Sequence, residues 1–272
     1  MLLFRKNASQ DIYANLAMED ALLEAGGDNR LLMLWTADDA VVLGKNQNPW
    51  IETNPSILQH EGIKLARRVS GGGAVFHDTG NLNYSIFLPR WTYQSSCVHE
   101  IVVRALRSLG FDASGSDEKG ITVGDKKVGG SAFCYRKDWV LHHGTLLVSA
   151  NLEKLNHTLE PFLTDIESHC VRSKRAEVRN LGCEMSMVEQ ALRSAFETAF
   201  DMESRNADLP ELNSAGDVER FKSSEWIYGR TPRFTCQSVD GPFVVAKGVI
   251  ESGPDSKWVG RPFEEWLLSG SL

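Results

Sequence analysis

Three consecutive glycines, Gly71 to Gly73, lie between two runs of strand-forming residues in the stretch LARRVSGGGAVFHDTGNLNYSIF. The absence of three successive side chains lets backbone N–H groups approach an anionic ligand closely and permits positive φ angles. The runs Lys64 to Val69 and Tyr84 to Leu88 on either side have strand composition. The stretch therefore predicts a strand, a ligand-binding glycine loop and further strands.

Two arginines, Arg67 and Arg68, precede this loop. Because side chains alternate along a strand, one arginine is expected to face a ligand and the other to face solvent. We predict that Arg68 faces inward, since Ser70 shares its side of the strand. A glycine-rich hairpin with surface arginines is the alternative. The polar residues that follow favour a ligand site: His77, Asp78, Asn81 and Asn83.

A second stretch, VGDKKVGGSAF, contains a turn signal at Gly124-Asp125. A tight hairpin there places Lys126 and Lys127 on opposite faces of the returning strand. One lysine then faces inward, where it can neutralise a phosphate or a polarised carbonyl. The alternative, that both lysines are solvated residues of an edge strand, stays open at this point.

A third stretch, LHHGTLLVSANLEKL, contains the adjacent histidines His142 and His143. Neighbouring residues of a strand point in opposite directions, so this pair is not expected to share a metal ion.

The periodicity of apolar residues predicts an α+β fold with a mixed, mainly antiparallel sheet and packed helices. Helices are predicted from Asp11 to Glu24, from Ser96 to Gly110 with Ser96 as N-cap, and after a capping box formed by Ser186 and Glu189. We expect the short apolar runs from Leu31 to Leu88 to form one sheet. A connector-like composition near residue 205 predicts a large domain over 1–205 and a small region over 206–272.

Composition excludes several classes of protein. The 272 residues have a net charge of −7 without a long Lys or Arg block, which disfavours nucleic-acid binding. The apolar runs are too short to cross a bilayer, and no export or organelle signal is visible. Five scattered cysteines without a CxxC pair predict a reducing compartment and no structural zinc.

Together the three stretches, in this order, resemble the lipoate-protein ligase family, with GKNQNPWIE ahead of them and EWIYGRTPRF near the end. The resemblance implies the catalytic fold shared with biotin ligases and a small C-terminal accessory domain. It also implies that ATP with Mg²⁺ activates lipoate or octanoate to an acyl-AMP. The acyl group then passes to a lysine of a 2-oxoacid dehydrogenase lipoyl domain or of glycine cleavage H protein. The implied location is the cytoplasm, or the mitochondrial matrix in a eukaryote.

The resemblance also assigns site residues. Lys127 matches the catalytic lysine that binds both the lipoyl carbonyl and the phosphate. The implied ATP and lipoyl-AMP site comprises Arg68, Ser70, Gly71, Gly72, Gly73, Ala74, Val75, Phe76, Lys127 and Ala132. The implied lipoate pocket comprises His77, Asn81 and His143. His143 as a structural histidine is the alternative for that residue.

The sequence departs from the family pattern in three places. Lys119-Gly120 stands where the family commonly has an Asn-Asp pair, which leaves Asp117 or Glu118 as candidate metal ligands. Gly129 replaces a serine of the family. The C-terminal region is shorter than the usual accessory domain.

Three other functions remain as alternatives. The first is an acyl transferase that works without ATP through a cysteine, with Cys97 or Cys134 as candidates. The related octanoyltransferases would need that cysteine at Val140, which disfavours their branch. The second is a non-catalytic lipoate-binding or acyl-AMP-binding protein. The third is a biotin ligase, for which no basic adenylation loop is apparent.

Overall fold

The computed structural model describes residues 1–164, 166–207 and 215–269. In this part of the chain the α-helices are α1 Ile12–Ala25, α2 Pro55–Glu61, α3 Ser95–Ser108, α4 Leu152–Thr158, α5 Met185–Phe200, α6 Ala215–Lys222, α7 Ser224–Ile227 and α8 Phe263–Leu268. Short 3₁₀ helices cover Pro49–Ile51, Arg90–Thr92 and Ser256–Trp258. None of the described helices has the length and apolar character that a membrane span requires.

The strands of the described residues are numbered in chain order. They are β1 Leu2–Lys6, β2 Arg30–Trp35, β3 Ala40–Leu43, β4 Lys64–Arg67, β5 Val75–His77, β6 Asn81–Pro89, β7 Ala113–Ser116, β8 Gly120–Val123, β9 Lys126–Gly129, β10 Ser131–Arg136, β11 Trp139–Leu147, β12 Ile166–Ser168, β13 Arg205–Asn206, β14 Phe234–Ser238, β15 Gly241–Ala246 and β16 Val249–Ser252.

The chain divides into two compact units, each made of three separate segments. Unit 1 comprises Met1–Asp38, His77–Glu153 and Arg175–Asp217. Unit 2 comprises Asp39–Phe76, Lys154–Lys174 and Val218–Leu272. These interleaved units differ from a division into two contiguous segments, and the domain boundary near residue 205 stays a prediction.

Unit 1 is built on a six-stranded sheet with the order β10-β11-β6-β2-β1-β13. The pairs β10–β11, β11–β6 and β6–β2 are antiparallel, whereas β1 is parallel to both β2 and β13. A second, antiparallel sheet of this unit has the order β7-β8-β9. The predicted α+β class with a mixed, mainly antiparallel sheet is confirmed.

The two faces of the six-stranded sheet differ in chemistry. One face packs against α3 and α5, and its apolar side chains alternate along the central strands as a half-buried sheet requires. They include Leu32, Leu34, Leu82, Tyr84, Ile86 and Leu88. The opposite face meets α1 and contains polar residues. This second face contains the predicted site residue His143.

Unit 2 has two sheets, with the orders β4-β3-β5 and β12-β14-β15-β16. β3 and β4 are parallel, while the β12, β14, β15 and β16 neighbours are antiparallel. Trp50 lies in the larger of its apolar clusters and stacks on Tyr228 with ring centroids 5.6 Å apart.

Our prediction that the runs from Leu31 to Leu88 form one sheet is wrong. β2 and β6 pair with each other in unit 1, whereas β3 and β4 pair in unit 2. Which strands pair depends on contacts between distant residues, and these are not encoded in local periodicity.

Two predicted helix caps are also wrong. Ser96 and Ser186 lie inside α3 and α5, because Cys97 N–H already bonds Gln94 O and Met187 N–H already bonds Glu184 O. Neither Gln94 nor Glu184 makes a side-chain cap bond. By contrast, Asp11 does cap α1 by accepting from the N–H groups of Tyr13 and Ala14.

Arg67 does not face solvent, contrary to our prediction. Its guanidinium is fully buried in unit 2, where Nε donates to Ile227 O at 2.7 Å and Nη2 donates to Thr231 Oγ1 at 3.2 Å. Nη1 donates to three carbonyl oxygens, those of Gly44, Lys45 and Gln47. Burial is the main cause that lowers the pKa of Arg67 to about 10, with the neighbouring Arg68 as the next. Both sides of β4 are therefore covered.

We expect Arg67→Met to lower the free energy of unfolding by about 3 kcal/mol or more, because it leaves several buried carbonyl oxygens without a donor. Urea denaturation followed by tryptophan fluorescence measures the loss. The control is Arg233→Met in the same unit, since Arg233 is exposed and forms only a surface ion pair with Glu251. That control should change stability by less than about 1 kcal/mol, and equal losses in both variants would contradict the expectation.

Candidate active site

The predicted site residues are distributed over both units. Arg68, Ser70 and the glycine loop with Ala74 to Phe76 belong to unit 2. His77, Asn81, Lys127, Ala132 and His143 belong to unit 1.

In unit 2, the Arg68 guanidinium holds the glycine loop in shape. Nε donates to Ser70 Oγ at 3.0 Å, and Nη2 donates to the carbonyl oxygens of Gly71 at 2.5 Å and Gly73 at 2.8 Å. Nη1 donates to Val42 O at 3.2 Å. The inward orientation predicted for Arg68 is confirmed, and the residue places a buried positive charge directly against the loop backbone.

The three loop glycines have different steric needs. Gly72 has φ +86°, a conformation that side-chain-bearing residues rarely adopt. A Cβ on Gly73 would lie 2.8 Å from Ser173 Oγ and 3.2 Å from Ser173 Cα. A Cβ on Gly71 would meet open space. Only the second and third glycines are therefore required by the geometry of unit 2.

Ser173 connects the loop to a buried carboxylate. Its Oγ accepts from Ala74 N–H at 2.8 Å and from Gln47 Nε2 at 3.1 Å, and its hydroxyl donates to Glu52. Ser173 N–H also donates to Glu52 Oε1 at 3.0 Å. Burial raises the pKa of Glu52, and the bonds from Ser173 oppose that rise. Neither Ser173 nor Glu52 was predicted as a site residue.

In unit 1, the Gly124-Asp125 turn joins β8 and β9 as predicted, and the two lysines that follow differ in environment. Lys126 is exposed and forms an ion pair with Glu177 at 2.6 Å. Lys127 is half-buried, and burial lowers the pKa of its ammonium. Among the described residues no carboxylate pairs with Lys127. One lysine of the hairpin is thus an uncompensated cation.

Glycines surround the Lys127 side chain at the positions where the sequence departs from the family pattern. Gly120 has φ +73°, and a Cβ there would lie 3.1 Å from Lys127 Cε. A Cβ on Gly129 would collide with the carbonyl oxygen of Thr145. Both departures therefore fit the local backbone, and Gly129 could not be a serine without a shift of β11.

The α1 face of the six-stranded sheet contains a polar network. Ser85 Oγ donates to Glu19 Oε1 at 2.5 Å and accepts from Trp35 Nε1 at 2.9 Å. His143 Nδ1 lies 2.9 Å from Glu19 Oε2, and the His77 ring stacks on Trp35 with centroids 5.7 Å apart. The buried carboxylate of Glu19 thus connects β6 and β11 through α1.

Three members of this network, Glu19, Trp35 and Ser85, were missed in the sequence. The available signal was the charged pair Glu19-Asp20 inside an otherwise apolar helix pattern, because buried carboxylates need partners. The predicted residues Asn81 and Ala132 lie on the same face. Asn81 begins β6, in register with Leu147, and Ala132 of β10 is in register with His143.

The two adjacent histidines point to opposite faces, as predicted. His143 meets Glu19 on the α1 face, whereas His142 Nδ1 lies 3.0 Å from Tyr93 Oη on the α3 face. Burial, followed by the proximity of His99 and His143, lowers the pKa of His142 to about 3. His142 is therefore a neutral ring near neutral pH.

The candidate metal ligands do not form a metal centre by themselves. Asp117 accepts from Ser95 Oγ at 3.0 Å and lies 3.7 Å from His99 Nδ1. The described residues contain no group of three or more His, Cys, Asp or Glu side chains that could hold a metal ion.

The sequence is similar to those of known proteins of one family. A model of the lipoyl protein ligase A/B catalytic domain matches residues 11–201. The chain belongs to this family. Over 247 residues, the chain is 36% identical to lipoate-protein ligase A of Psychrobacter cryohalolentis. This matched region covers 85% of this chain and 73% of that protein. The enzyme class predicted from the sequence, a lipoate-protein ligase, is confirmed.

Solved structures of lipoate ligases have the same fold. P. falciparum LipL1 in complex with lipoate superposes with a TM-score of 0.73 at 27% identity, covering 92% of this chain and 83% of that one. A T. acidophilum lipoate ligase with bound lipoic acid superposes with a TM-score of 0.70 at 26% identity, covering 83% of this chain and 97% of that one. A lipoate-protein ligase A bound with ATP superposes with a TM-score of 0.69 at 28% identity, covering 81% of this chain and 93% of that one.

The glycine loop gives a graded prediction for this ligase. Gly72→Ala should cost about 1–2 kcal/mol because of its positive φ, and Gly73→Ala about 1–3 kcal/mol because of the contact with Ser173. Gly71→Ala is the matched control and should stay within about 0.5 kcal/mol of the parent. Thermal denaturation measures all three, and a Gly71→Ala loss as large as the others would contradict the loop geometry.

Glu52 gives a pH-dependent prediction. Because folding raises its pKa, the contribution of Glu52 to stability is greatest below its unfolded pKa and is lost as the pH rises through its folded pKa. The stability of Glu52→Gln relative to the parent should therefore improve from pH 4 to pH 8. Denaturation of both proteins across this range measures the difference, and a constant difference would contradict a raised pKa.

Proposed function

We propose that this ligase activates lipoate, or octanoate, with ATP to the acyl-AMP and transfers the acyl group to a lysine of an acceptor. The proposed acceptors are lipoyl domains of 2-oxoacid dehydrogenases and glycine cleavage H protein. Similar proteins support these substrates, since two of their structures contain lipoate or lipoic acid and a third contains ATP. An archaeal neighbour is described together with its E2 lipoyl domain.

The observation on which the proposal mainly rests is the uncompensated ammonium of Lys127. A half-buried cation without a carboxylate partner is unfavourable until an anion binds beside it. A carboxylate, an α-phosphate and the mixed anhydride formed from them all supply negative charge or a polarised carbonyl. Lys127 is therefore suited to both half-reactions.

In the first half-reaction, a lipoate carboxylate oxygen attacks the α-phosphorus of ATP. A bond forms between them, the bond to the β-phosphate oxygen breaks, and pyrophosphate leaves. We assign to Lys127 the stabilisation of the negative charge that builds on the carboxylate and the α-phosphate. Fixed cations and N–H groups stabilise such charge without reorganisation. The glycine loop supplies N–H groups, and Arg68 acts by holding that loop.

In the second half-reaction, the neutral amine of the acceptor lysine attacks the acyl carbonyl of lipoyl-AMP. The new amide bond forms, AMP leaves with the electron pair of the broken C–O bond, and the amine loses a proton. Lys127 polarises the carbonyl in this step. Exclusion of water around the bound acyl-AMP would limit hydrolysis of the anhydride.

We assign the lipoate-binding role to the α1 face of the six-stranded sheet. Its stacked Trp35 and His77 offer apolar surface, and each CH₂ of an acyl chain buried there would contribute about 0.8 kcal/mol. His143, oriented by Glu19, and Asn81 offer polar atoms on the same face. This assignment keeps all three predicted pocket residues and adds Glu19, Trp35 and Ser85.

Two further choices follow from the residues. Mg²⁺ enters as part of the Mg·ATP substrate, and Asp117 and Glu118 stay the candidate residues for contacting it. We place the reaction in the cytoplasm, since all five cysteines lack a disulfide and suit a reducing compartment.

The alternative of an acyl transferase that works without ATP through a cysteine is less well supported. A cysteine nucleophile needs a lowered pKa, but burial raises the pKa of Cys97. Val140 occupies the position at which the octanoyltransferase relatives have their cysteine.

The direct test is pyrophosphate release by the purified protein with lipoate, ATP and Mg²⁺, without an acceptor. Release that depends on lipoate is expected. If no release occurs while the protein transfers the acyl group from supplied lipoyl-AMP, the ATP-dependent part of the proposal is wrong.

Lys127→Ala should lose at least about 100-fold in both half-reactions, because it removes a charge aimed at the transition state. The matched control is Lys126→Ala, which removes the neighbouring lysine on the exposed side of the same hairpin. Pyrophosphate release and acyl transfer from supplied lipoyl-AMP measure the two steps. Near-parental rates for Lys127→Ala, or equal losses in both variants, would refute the role of Lys127.

A further inference from the structure

Strand β10 is an unprotected edge of the six-stranded sheet in unit 1. Of the described strands only β11 pairs with it. Proline and charged residues commonly protect an edge from pairing with another chain. The six residues SAFCYR include no proline, and their one charged residue, Arg136, forms ion pairs with Asp20 and Glu24 of α1. An open edge of this kind favours addition of a strand from a partner.

The hydrogen-bond pattern identifies the residues that face the open side. Thr145 N–H donates to Gly130 O at 2.9 Å, so these two residues form a hydrogen-bonded pair. Pairs alternate along antiparallel strands, which directs the backbone N–H and C=O groups of Ser131, Phe133 and Tyr135 away from β11. These groups are available to an added strand.

Exposed aromatic side chains occupy the same edge. Phe133 is 43% exposed and Tyr135 is 47% exposed. Their centroids are 5.6 Å apart, and Tyr93 lies 6.1 Å and 5.7 Å from the two rings. Trp91, two residues before Tyr93, is 67% exposed. Contiguous exposed apolar groups, unlike single ones, mark interaction surfaces.

A cation accompanies these rings. The Arg90 guanidinium lies 5.2 Å from the centroid of the Tyr135 ring. No carboxylate in the described part of the chain forms an ion pair with Arg90, although the whole chain has a net charge of −7. Arg90 is therefore a cation at this edge with which an acidic group of a partner can pair.

The edge also lies next to the proposed reaction centre. Only Gly130 separates β10 from β9, the strand of Lys127. Lys127 Nζ is 3.7 Å from the position that a Cβ on Gly130 would take. A segment paired along β10 would thus end close to the group that polarises the acyl carbonyl.

We propose that the acceptor protein docks by pairing an acidic, extended segment with the open edge of β10 and thereby brings its target lysine to Lys127. This inference rests on the proposed function. A second copy of the chain is a poorer occupant, because pairing of two β10 edges about a two-fold axis would bring the surroundings of two Arg90 residues together.

The test uses the double variant Phe133→Glu/Tyr135→Glu with a purified apo E2 lipoyl domain as acceptor and supplied lipoyl-AMP. The acceptor KM should rise at least tenfold, while lipoate-dependent pyrophosphate release without acceptor stays within twofold of the parent. The control is Val239→Glu in unit 2, a residue that is 92% exposed, which should change neither quantity. Melting temperatures verify that each variant is folded.

Arg90→Glu gives a second, independent variant because it reverses a surface charge and leaves β10 unchanged. It should raise the acceptor KM and weaken the dependence of that KM on salt. An unchanged acceptor KM in both β10 and Arg90 variants would overturn the docking proposal. Light scattering that shows a parental dimer and a monomeric double variant, with unchanged transfer, would assign the edge to a second copy. A parental protein without lipoate-dependent pyrophosphate release would instead contradict the proposed function.

Discussion

Buried guanidinium groups determine the structure around the glycine loop. Arg67 and Arg68 are adjacent on β4, and together they donate to carbonyl oxygens from several segments of unit 2. A buried arginine is stable only when its donors are satisfied. The chain near Gly44, the loop itself and the turn after α7 must therefore converge on this strand. The shape of the loop follows from these bonds more than from the glycines alone.

Local chemistry predicted the elements but not how they pair. The first helix, the Gly124-Asp125 hairpin and most strand positions depend on neighbouring residues and were predicted from the sequence. The two serine caps failed because α3 and α5 begin earlier, after Gln94 and Glu184, which make no side-chain cap bond. Gly144 lies within β11, where the Tyr84 side chain occupies the space that a Cβ would take. Such long-range contacts are not visible in periodicity.

The site shows the same limit. The glycine loop and Lys127 were found because glycine runs and inward lysines leave clear patterns. Glu19, Trp35, Ser85, Glu52 and Ser173 were not found. Their significance comes from partners far away in the sequence, such as the bonds from Ser85 and His143 to Glu19. The strand period alone predicted that His142 and His143 serve different faces, and this placed a neutral, buried ring opposite the polar network.

The interleaved segments have a consequence for how the protein is made. During synthesis, residues 39–76 emerge early but belong to a unit that also needs residues 218–272. Arg67 has no Ile227 carbonyl to bond until that later segment has been translated. Contacts with such large sequence separation form slowly, and apolar residues stay exposed in the meantime. The buried environment of Arg67 is thus completed late, at a time set by the translation of the C-terminal segment.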